Sequence, residues 1–245
     1  MTRIRVMTYN VGHYNMGLSS HGMPDELVDE KTAGLKEMLM EYAPDLIGIQ
    51  EEEKWFDQAH EKKASAWLYS PVWCFRGGYD CTTIRAKYKA VSGSYVLDHY
   101  SNGMTYRHGL FNVDGRQLLA VSTHAASRTG NCEARLQQYR ELFAFVRSVE
   151  CDGCVICGDF NTTDQADRDN LTALCTENGF SQAIGSYLPW VDTYLGRKAG
   201  AKRHSFDNIL AGPGMVITTT KVLRDWWDRL YSDHVPVLAD VDWRD

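Results

Sequence analysis

The first fifty residues constrain the fold more than any other stretch. "IRVMTYNV" (4–11) is a short, β-rich, mostly apolar run. Within 26–43, Leu35, Met38, Leu39 and Tyr42 fall at i, i+3, i+4 and i+7, the spacing of one helical face. Pro44 then bars continuation, because it has no N–H to donate and its ring crowds the preceding turn. "DLIGIQ" (45–50) reads as a second strand. Strand, helix, strand is a β-α-β unit, for which neighbouring parallel strands and a right-handed crossover are expected.

The middle of the chain reads as antiparallel. "DCTTIRA" and "AVSGSYVLDHY" are strand-like runs around "KYK", and "TYRHGLFNV" and "RQLLAVSTH" flank Asp114-Gly115, a hairpin-turn pair. A second amphipathic helix is predicted over about 133–149, with Tyr139, Leu142, Phe143 and Val146 on one face. The strand "CVICGDF" follows, then a helix near 167–178 that stops at Asn178-Gly179. "HSFDNILAG", "MVITTTKVL" and "HVPVLADVDW" read as closing strands. Strands of both kinds with helices between them predict one α/β layered domain over residues 1–245.

Composition narrows the function classes. With 26 Lys and Arg against 32 Asp and Glu, the net charge of −6 argues against tight duplex binding, which usually needs a basic domain. It leaves room for an enzyme that handles a polyanion through a local basic patch. The start "MTRIRVMTYN" lacks the apolar core of a secretory leader, and no apolar run approaches the roughly 20 residues of a membrane span. Seven cysteines in no framework spacing add to an expectation of a reduced, cytoplasmic protein. "CDGC" (151–154) has C-x-x-C spacing, but its Asp-Gly centre reads as a turn.

A chemical pattern recurs at strand ends. The first strand ends at Asn10 and the second at Gln50-Glu51; the hairpin's return strand ends at His124, and "CVICGDFN" at Asp159 and Asn161. Asp207 sits inside "SFDNIL", and Asp233 and His234 precede the last strand. Carboxylate and amide oxygens suit a hard divalent ion. Histidine beside acids suits proton transfer or neutralisation of a phosphate. Taken singly, each has an ordinary reading: Asn10 as a turn residue, Glu51 in "EEEK" as a solvated face, His124 as a core histidine, Asp207 as a strand-end cap, "SDH" as a turn before Pro236. Within "VICGDFNTTD", an extended chain would place Asp159 and Asn161 on one side and Phe160 on the other, with Gly158 allowing a sharp turn.

In order, "TYNV", "GIQE", "STH", "GDFN", "FDNIL" and "SDHVPV" resemble the motifs of the endonuclease/exonuclease/phosphatase superfamily, from residue 4 to about 240. The resemblance implies a four-layer α/β sandwich, with two mixed sheets face to face and helices outside. It implies a metal-dependent phosphoester hydrolase using Mg²⁺, or Mn²⁺, on a nucleic acid or small phosphodiester. Residue by residue, it makes Glu51 the main metal ligand, helped by Asn10, with Asp233 beside the metal. Asp159 orients or deprotonates the attacking water, Asn161 holds a phosphate oxygen, and His234 contacts the phosphate or serves as acid/base. Asp207 fixes the His234 tautomer, and His124 is a second imidazole on the phosphate or leaving group. Three departures stand out. His13 occupies a position where apurinic endonucleases carry an acid, "THAA" replaces the more usual His-Leu, and Asn208 follows Asp207 where an aromatic or His is commoner. With His124 present, the pattern is closer to the deoxyribonuclease, sphingomyelinase and deadenylase branches.

Substrate class stays open at this level: a nuclease-like diesterase, an inositol-phosphate or sphingomyelin type of esterase, or a catalytically silent binding module of the same fold. Arg197, Lys198, Lys202 and Arg203 form either a solvated loop or a rim that attracts phosphate. Trp226 and Trp227, and likewise Trp55, Trp67 and Trp73, are either stacking surfaces or packing.

Overall fold

The structure is a computed structural model and describes residues 2–12, 25–51, 82–91, 96–102, 104–127, 130–196, 200–230 and 232–244. Its strands are β1 (Arg3–Asn10), β2 (Leu46–Gln50), β3 (Thr83–Ala86), β4 (Val96–His99), β5 (Thr105–Val113), β6 (Arg116–His124), β7 (Gly153–Asp159), β8 (Ser181–Gln182), β9 (Asp207–Ala211), β10 (Met215–Val222) and β11 (Val237–Trp243). The helices are α1 (Asp25–Tyr42), α2 (Cys132–Ser148), α3 (Gln165–Glu177) and the short α4 (Trp227–Leu230), which continues a 3₁₀ turn at Arg224–Trp226. No helix among the described residues is long and apolar enough to cross a membrane.

Two mixed sheets form, one in the order β10-β11-β1-β2-β3 and the other β4-β5-β6-β7-β9-β8. Each contains one parallel pair with a helix in its connection: β1 with β2 across α1, and β6 with β7 across α2. The remaining named strand pairs are antiparallel. "KYK" is where the chain passes between sheets, since β3 pairs with β2 and β4 with β5.

Side-chain alternation builds the layers. Ile4 and Val6 of β1, Leu118 and Ala120 of β6, Val155 and Cys157 of β7, and Ile209 and Ala211 of β9 share the core between the sheets. The intervening Met7 and Tyr9 pack with Leu35 and Met38 of α1, while Leu119, Val121 and Ile156 pack with Leu142 and Phe143 of α2. The result is helix, sheet, sheet, helix, the sandwich the motifs imply. Towards one edge the inter-sheet layer turns polar: Thr8 Oγ1 donates to Gln50 Oε1 (3.3 Å), and Gln50 Nε2 donates across the gap to Ser122 Oγ (3.0 Å). Gly48 lets the sheets approach here, because a Cβ at that position would lie 2.5 Å from Cys157 Sγ.

Three local readings change. Gly158 lies inside β7 instead of a turn, and a Cβ there would sit 2.1 Å from the Thr123 carbonyl oxygen, so the parallel neighbour excludes a side chain. β11 begins at Val237, which leaves His234 and Pro236 before it. "CDGC" is the entry to β7: Asp152 N donates to Gln117 O, Asp152 Oδ2 accepts from Gln117 N, and both thiols are free.

Candidate active site

The alternation that builds the inter-sheet core also aims the candidate residues. Continuing the inward phase of β1 past Thr8 reaches Asn10; in β6 it passes Ser122 and reaches His124; in β7 it reaches Asp159. Register then sets His124 opposite Asp159, and Asp159 opposite Asp207 on β9, a row across three adjacent strands. All are buried, as are Glu51, Asn161, Asp233 and His234.

Asn10 is the centre of the acidic group. Its Nδ2 donates to Glu51 Oε1 (3.1 Å) and to Asp159 Oδ2 (3.0 Å), while its Oδ1 accepts from Gly12 N (2.9 Å). A neutral amide thus separates two carboxylates that would otherwise repel. Strand alternation alone would aim Glu51 outward with Ile47 and Ile49. A left-handed backbone at Glu51 (φ 56°) turns it back towards Asn10. Non-glycine residues pay about 1–3 kcal/mol for such backbone, which is tolerated where a site demands it.

Asn161 is also left-handed (φ 51°). The extended-chain expectation for "DFN" therefore fails, because β7 ends at Asp159 and the chain folds over its carboxylate. Asn161 N donates to Asp159 Oδ1 (2.8 Å), and Asn161 Nδ2 donates to Ala125 O (2.9 Å). Phe160 points away and is buried against Tyr139.

The imidazoles face the acids. His124 Nε2 lies 3.6 Å from Asp159 Oδ2 and 3.9 Å from Glu51 Oε1. His234 Nδ1 meets Asp207 Oδ2 at 2.8 Å, which leaves Nε2 directed at Asp159 Oδ2, 3.8 Å away. Burial works to lower the His234 pKa, but Asp207, with help from Asp159 and Asp233, pushes it up to about 10. Asp159 and Asp233 both move up, chiefly through burial. Asp233 is held by its flanks: Ser232 Oγ donates to Asn10 O (2.8 Å), and Leu195 N donates to Asp233 O (2.8 Å).

The donor set fits a divalent cation. Among the described residues, no hydrogen bond of ordinary geometry reaches Asp207 Oδ1 or the buried Asp233 carboxylate, although the Tyr194 phenol lies close enough to Asp233 for that charge, after burial, to raise the phenol's pKa. Buried anions persist when paired or bound to a cation. Glu51, Asp159, Asp207 and Asp233 also outnumber His124 and His234, so negative charge is left over even with both rings protonated. Ligand atoms of Asp159, Asp207 and His234 lie within 4.8 Å of one another. Oxygen-rich ligation of this kind suits Mg²⁺ or Mn²⁺.

The rim residues divide. Lys202 and Arg203 are exposed, next to His204, whose ring stacks on Phe206 (4.8 Å). Trp226 does not line the site; it is buried on the outer face of the first sheet with Met7, Leu35 and Met38, and Arg229 lies 4.3 Å over its ring. Trp227 is half-buried beside it at the start of α4. Arg197, Lys198, Trp55, Trp67, Trp73 and His13 lie outside the described residues.

Two residues that touch the Asp207–His234 pair went unread in the sequence. Thr193 Oγ1 accepts from Phe206 N (3.0 Å) and Asp207 N (2.9 Å), fixing the start of β9. The Tyr194 ring stands edge-on to His234, with centroids 5.1 Å apart. "DTY" carries no pattern that would have singled either out.

Fold and site together define an α/β sandwich with an acid–amide–imidazole centre at one edge of the gap between its sheets. The Endonuclease/Exonuclease/phosphatase family model matches residues 7–234, and the chain belongs to that family, whose members are typically phosphoester hydrolases using divalent metals. Several solved structures share the fold. TDP2 of D. rerio, complexed with a single-strand DNA product, superposes with TM-score 0.76 at 17% identity, covering 99% of this chain and 100% of that one. TDP2 of Caenorhabditis elegans gives 0.75 at 19% identity, with 98% and 74% coverage. The human nocturnin catalytic domain with bound sulfate gives 0.69 at 18% identity, with 99% and 95% coverage. No curated protein sequence matches the chain.

Proposed function

We propose that the protein is a divalent-metal-dependent phosphoester hydrolase, and specifically a nuclease-like phosphodiesterase. The observation that carries this is the Asn10 amide between Glu51 and Asp159, set beside the buried Asp233 carboxylate and faced by His124 and His234.

Glu51 and Asp233 would hold the cation, with Asn10 fixing the Glu51 carboxylate. A bound divalent ion neutralises charge on the phosphate and polarises a neighbouring oxygen. Asp159 orients water and accepts its proton, which its burial-raised pKa favours. Asn161 N holds Asp159 Oδ1 in place. An amide has two N–H groups, so Asn161 Nδ2 keeps one for a phosphate oxygen beyond the one given to Ala125 O. His234, charged near neutrality and locked through Nδ1 by Asp207, presents Nε2–H to the phosphate. His124 presents a second imidazole to the phosphate or leaving oxygen. Preorganised donors around the developing charge supply most of the rate in such a scheme.

The diester reading draws on the single-strand DNA product in D. rerio TDP2 and on exposed Lys202 and Arg203 near the site. The test is hydrolysis of bis-p-nitrophenyl phosphate and single-stranded DNA by chelator-stripped protein, with and without Mg²⁺ or Mn²⁺. Turnover should require the metal. His234→Ala and Asp159→Ala should each lose orders of magnitude while remaining folded. No metal-dependent turnover on any phosphoester, or near-normal activity in either variant, overturns the assignment.

A further inference from the structure

One face of α2 holds three polar residues at i, i+3 and i+4: Arg135, Gln138 and Tyr139, all fully buried. Each grips the backbone or side chains of the two loops that leave β6 and β7. Arg135 Nη1 donates to Ala126 O (3.1 Å), and its Nη2 donates to Thr163 Oγ1 (2.9 Å). Gln138 Oε1 accepts from Ala126 N (2.8 Å), and Tyr139 Oη donates to Phe160 O. Asp167 of α3 closes the frame. It accepts from Arg135 Nε (2.9 Å) and Nη2 (2.7 Å), and from Thr163 N (3.0 Å) and Oγ1 (2.8 Å).

The loops so held are those of the reaction centre. Ala126 is two residues past His124, and Phe160 lies between Asp159 and Asn161. The loops are tied to each other as well, since Ala125 N donates to Asp159 O (2.8 Å) and Asn161 Nδ2 donates to Ala125 O (2.9 Å). Stability alone gives a poor reason for a buried ion pair here, because an apolar pair of similar volume often serves as well or better. A bidentate guanidinium–carboxylate pair with two further donor contacts does something an apolar pair cannot: it sets direction. We propose that Arg135 and Asp167 are positioning residues, which fix the His124 and Asn161 loops relative to each other so that imidazole, carboxylate and amide converge on one phosphate. The proposal rests on the phosphoesterase reading for its consequence in turnover, but its geometric core does not.

The test replaces both partners together, Arg135→Met with Asp167→Leu, so that no buried charge is left alone. Leu171→Ala, a core change one turn along α3 from Asp167 that removes none of the frame's polar groups, serves as the control for plain destabilisation. Two readouts are taken: metal-dependent turnover, and hydrogen exchange at the Ala125, Ala126 and Asn161 amides against those of β7. The double variant should remain folded, lose roughly 10- to 100-fold in kcat with KM within about twofold, and exchange those three amides at least about tenfold faster. Leu171→Ala should lower the melting temperature with kcat retained. Arg135→Lys, which keeps charge but not the fork, should fall between wild type and the double variant. Unchanged exchange in the double variant, or a kcat loss matched by Leu171→Ala, overturns the proposal. Faster exchange in the double variant, together with a wild type that turns over no phosphoester, would overturn the functional reading and leave the positioning frame standing.

Discussion

Asn10→Asp is the sharpest single test of the site, because it changes one atom type in the middle of a charge cluster. Asn10 Nδ2 lies 3.1 Å from Glu51 Oε1 and 3.0 Å from Asp159 Oδ2. An aspartate there sets a third anion against the other two at about the same distances. At an effective permittivity of about 20, each repulsion is worth about 5 kcal/mol. The cluster need not bear that, because it can take up a proton instead. At pH 7, protonating a carboxyl of ordinary pKa near 4 costs about 4 kcal/mol, and at pH 5 about 1.4 kcal/mol. Burial has already moved Asp159 up, so these figures are ceilings. The protonated cluster has one O–H where Asn10 had two N–H donors, and losing a bond to a charged acceptor adds about 2 kcal/mol at either pH. The expected deficit therefore reaches at most about 6 kcal/mol at pH 7 and about 3 kcal/mol at pH 5.

The sign follows from proton counting. The folded variant binds one proton more than its unfolded chain, so its stability relative to wild type falls as pH rises. Thermal melts in EDTA read it directly. At about 2–4 °C per kcal/mol for a chain of this size, the variant should melt lower than wild type by up to roughly 12–24 °C at pH 7, and by about half that at pH 5. Millimolar Mg²⁺ should return more of the loss to the variant than it adds to wild type. If Asn10 were only a turn residue, Asp would replace it at a cost below about 1 kcal/mol, since Asp serves turns as well as Asn does. A deficit that small, or one equal at both pH values, refutes the bridging argument.

Trp226→Ala should destabilise by about 3–5 kcal/mol in denaturant titration yet leave KM unchanged, because the ring is buried beneath α1; a raised KM would return it to the substrate surface. Gly48→Ala should cost about 1–3 kcal/mol through the clash with Cys157 Sγ and Ser122 Oγ, and Cys157→Ala in the same chain should recover part of it; simple additivity of the two changes would contradict the close sheet approach. Asp167→Asn should cost about 3–5 kcal/mol at pH 7 by taking the carboxylate away from the buried Arg135 guanidinium. Burial works to raise the Asp167 pKa, but Arg135 and Thr163 hold it below the usual range, so its stabilisation is present above the unfolded pKa near 4 and is lost as pH falls through the depressed value. Denaturant curves for wild type and variant should therefore converge below about pH 4, and a gap that stays constant into acid would sink that account.

Much of this was legible because alternation is a strict rule. β5 and β6 run over the residues expected from "TYRHGLFNV" and "RQLLAVSTH", since apolar period and an Asp-Gly turn agree there. Asn10, His124 and Asp159 could be picked out as polar residues where apolar strands end. Their mutual contacts could not, because the bridge from Asn10 to Asp159 joins different sheets and depends on how the sheets face. Alternation also misleads where the backbone leaves the strand, as at left-handed Glu51 and Asn161. Arg135 and Gln138 were missed for a different reason. They lie on the same helical face as Tyr139 and Leu142, at positions that period assigns to the core, but charge and amide read as solvent-facing. A charged residue in phase with a buried stripe was the available signal.

Topology explains why the site draws on motifs spread along the chain. β1, β2, β6 and β7 are mutually parallel within their pairs and deliver Asn10, Glu51, His124 and Asp159 from their carboxyl ends. β9 and β11 run antiparallel to β7 and β1, so only their beginnings reach the same edge. Asp207 is accordingly the first residue of β9, and Asp233 and His234 lie just before β11. A group placed by this rule can address a phosphate but has no direction left to read what the phosphate is attached to. Discrimination among substrates must then fall to segments that leave the edge and return to it. In one of them the described residues 194–196 and 200–206 carry the exposed Lys202 and Arg203 and pack the Tyr194 and His204 rings against Phe206, beside the His234 ring. Exchanging that segment between two family members should move substrate preference while leaving metal dependence in place, because the cation's candidate ligands all lie outside it.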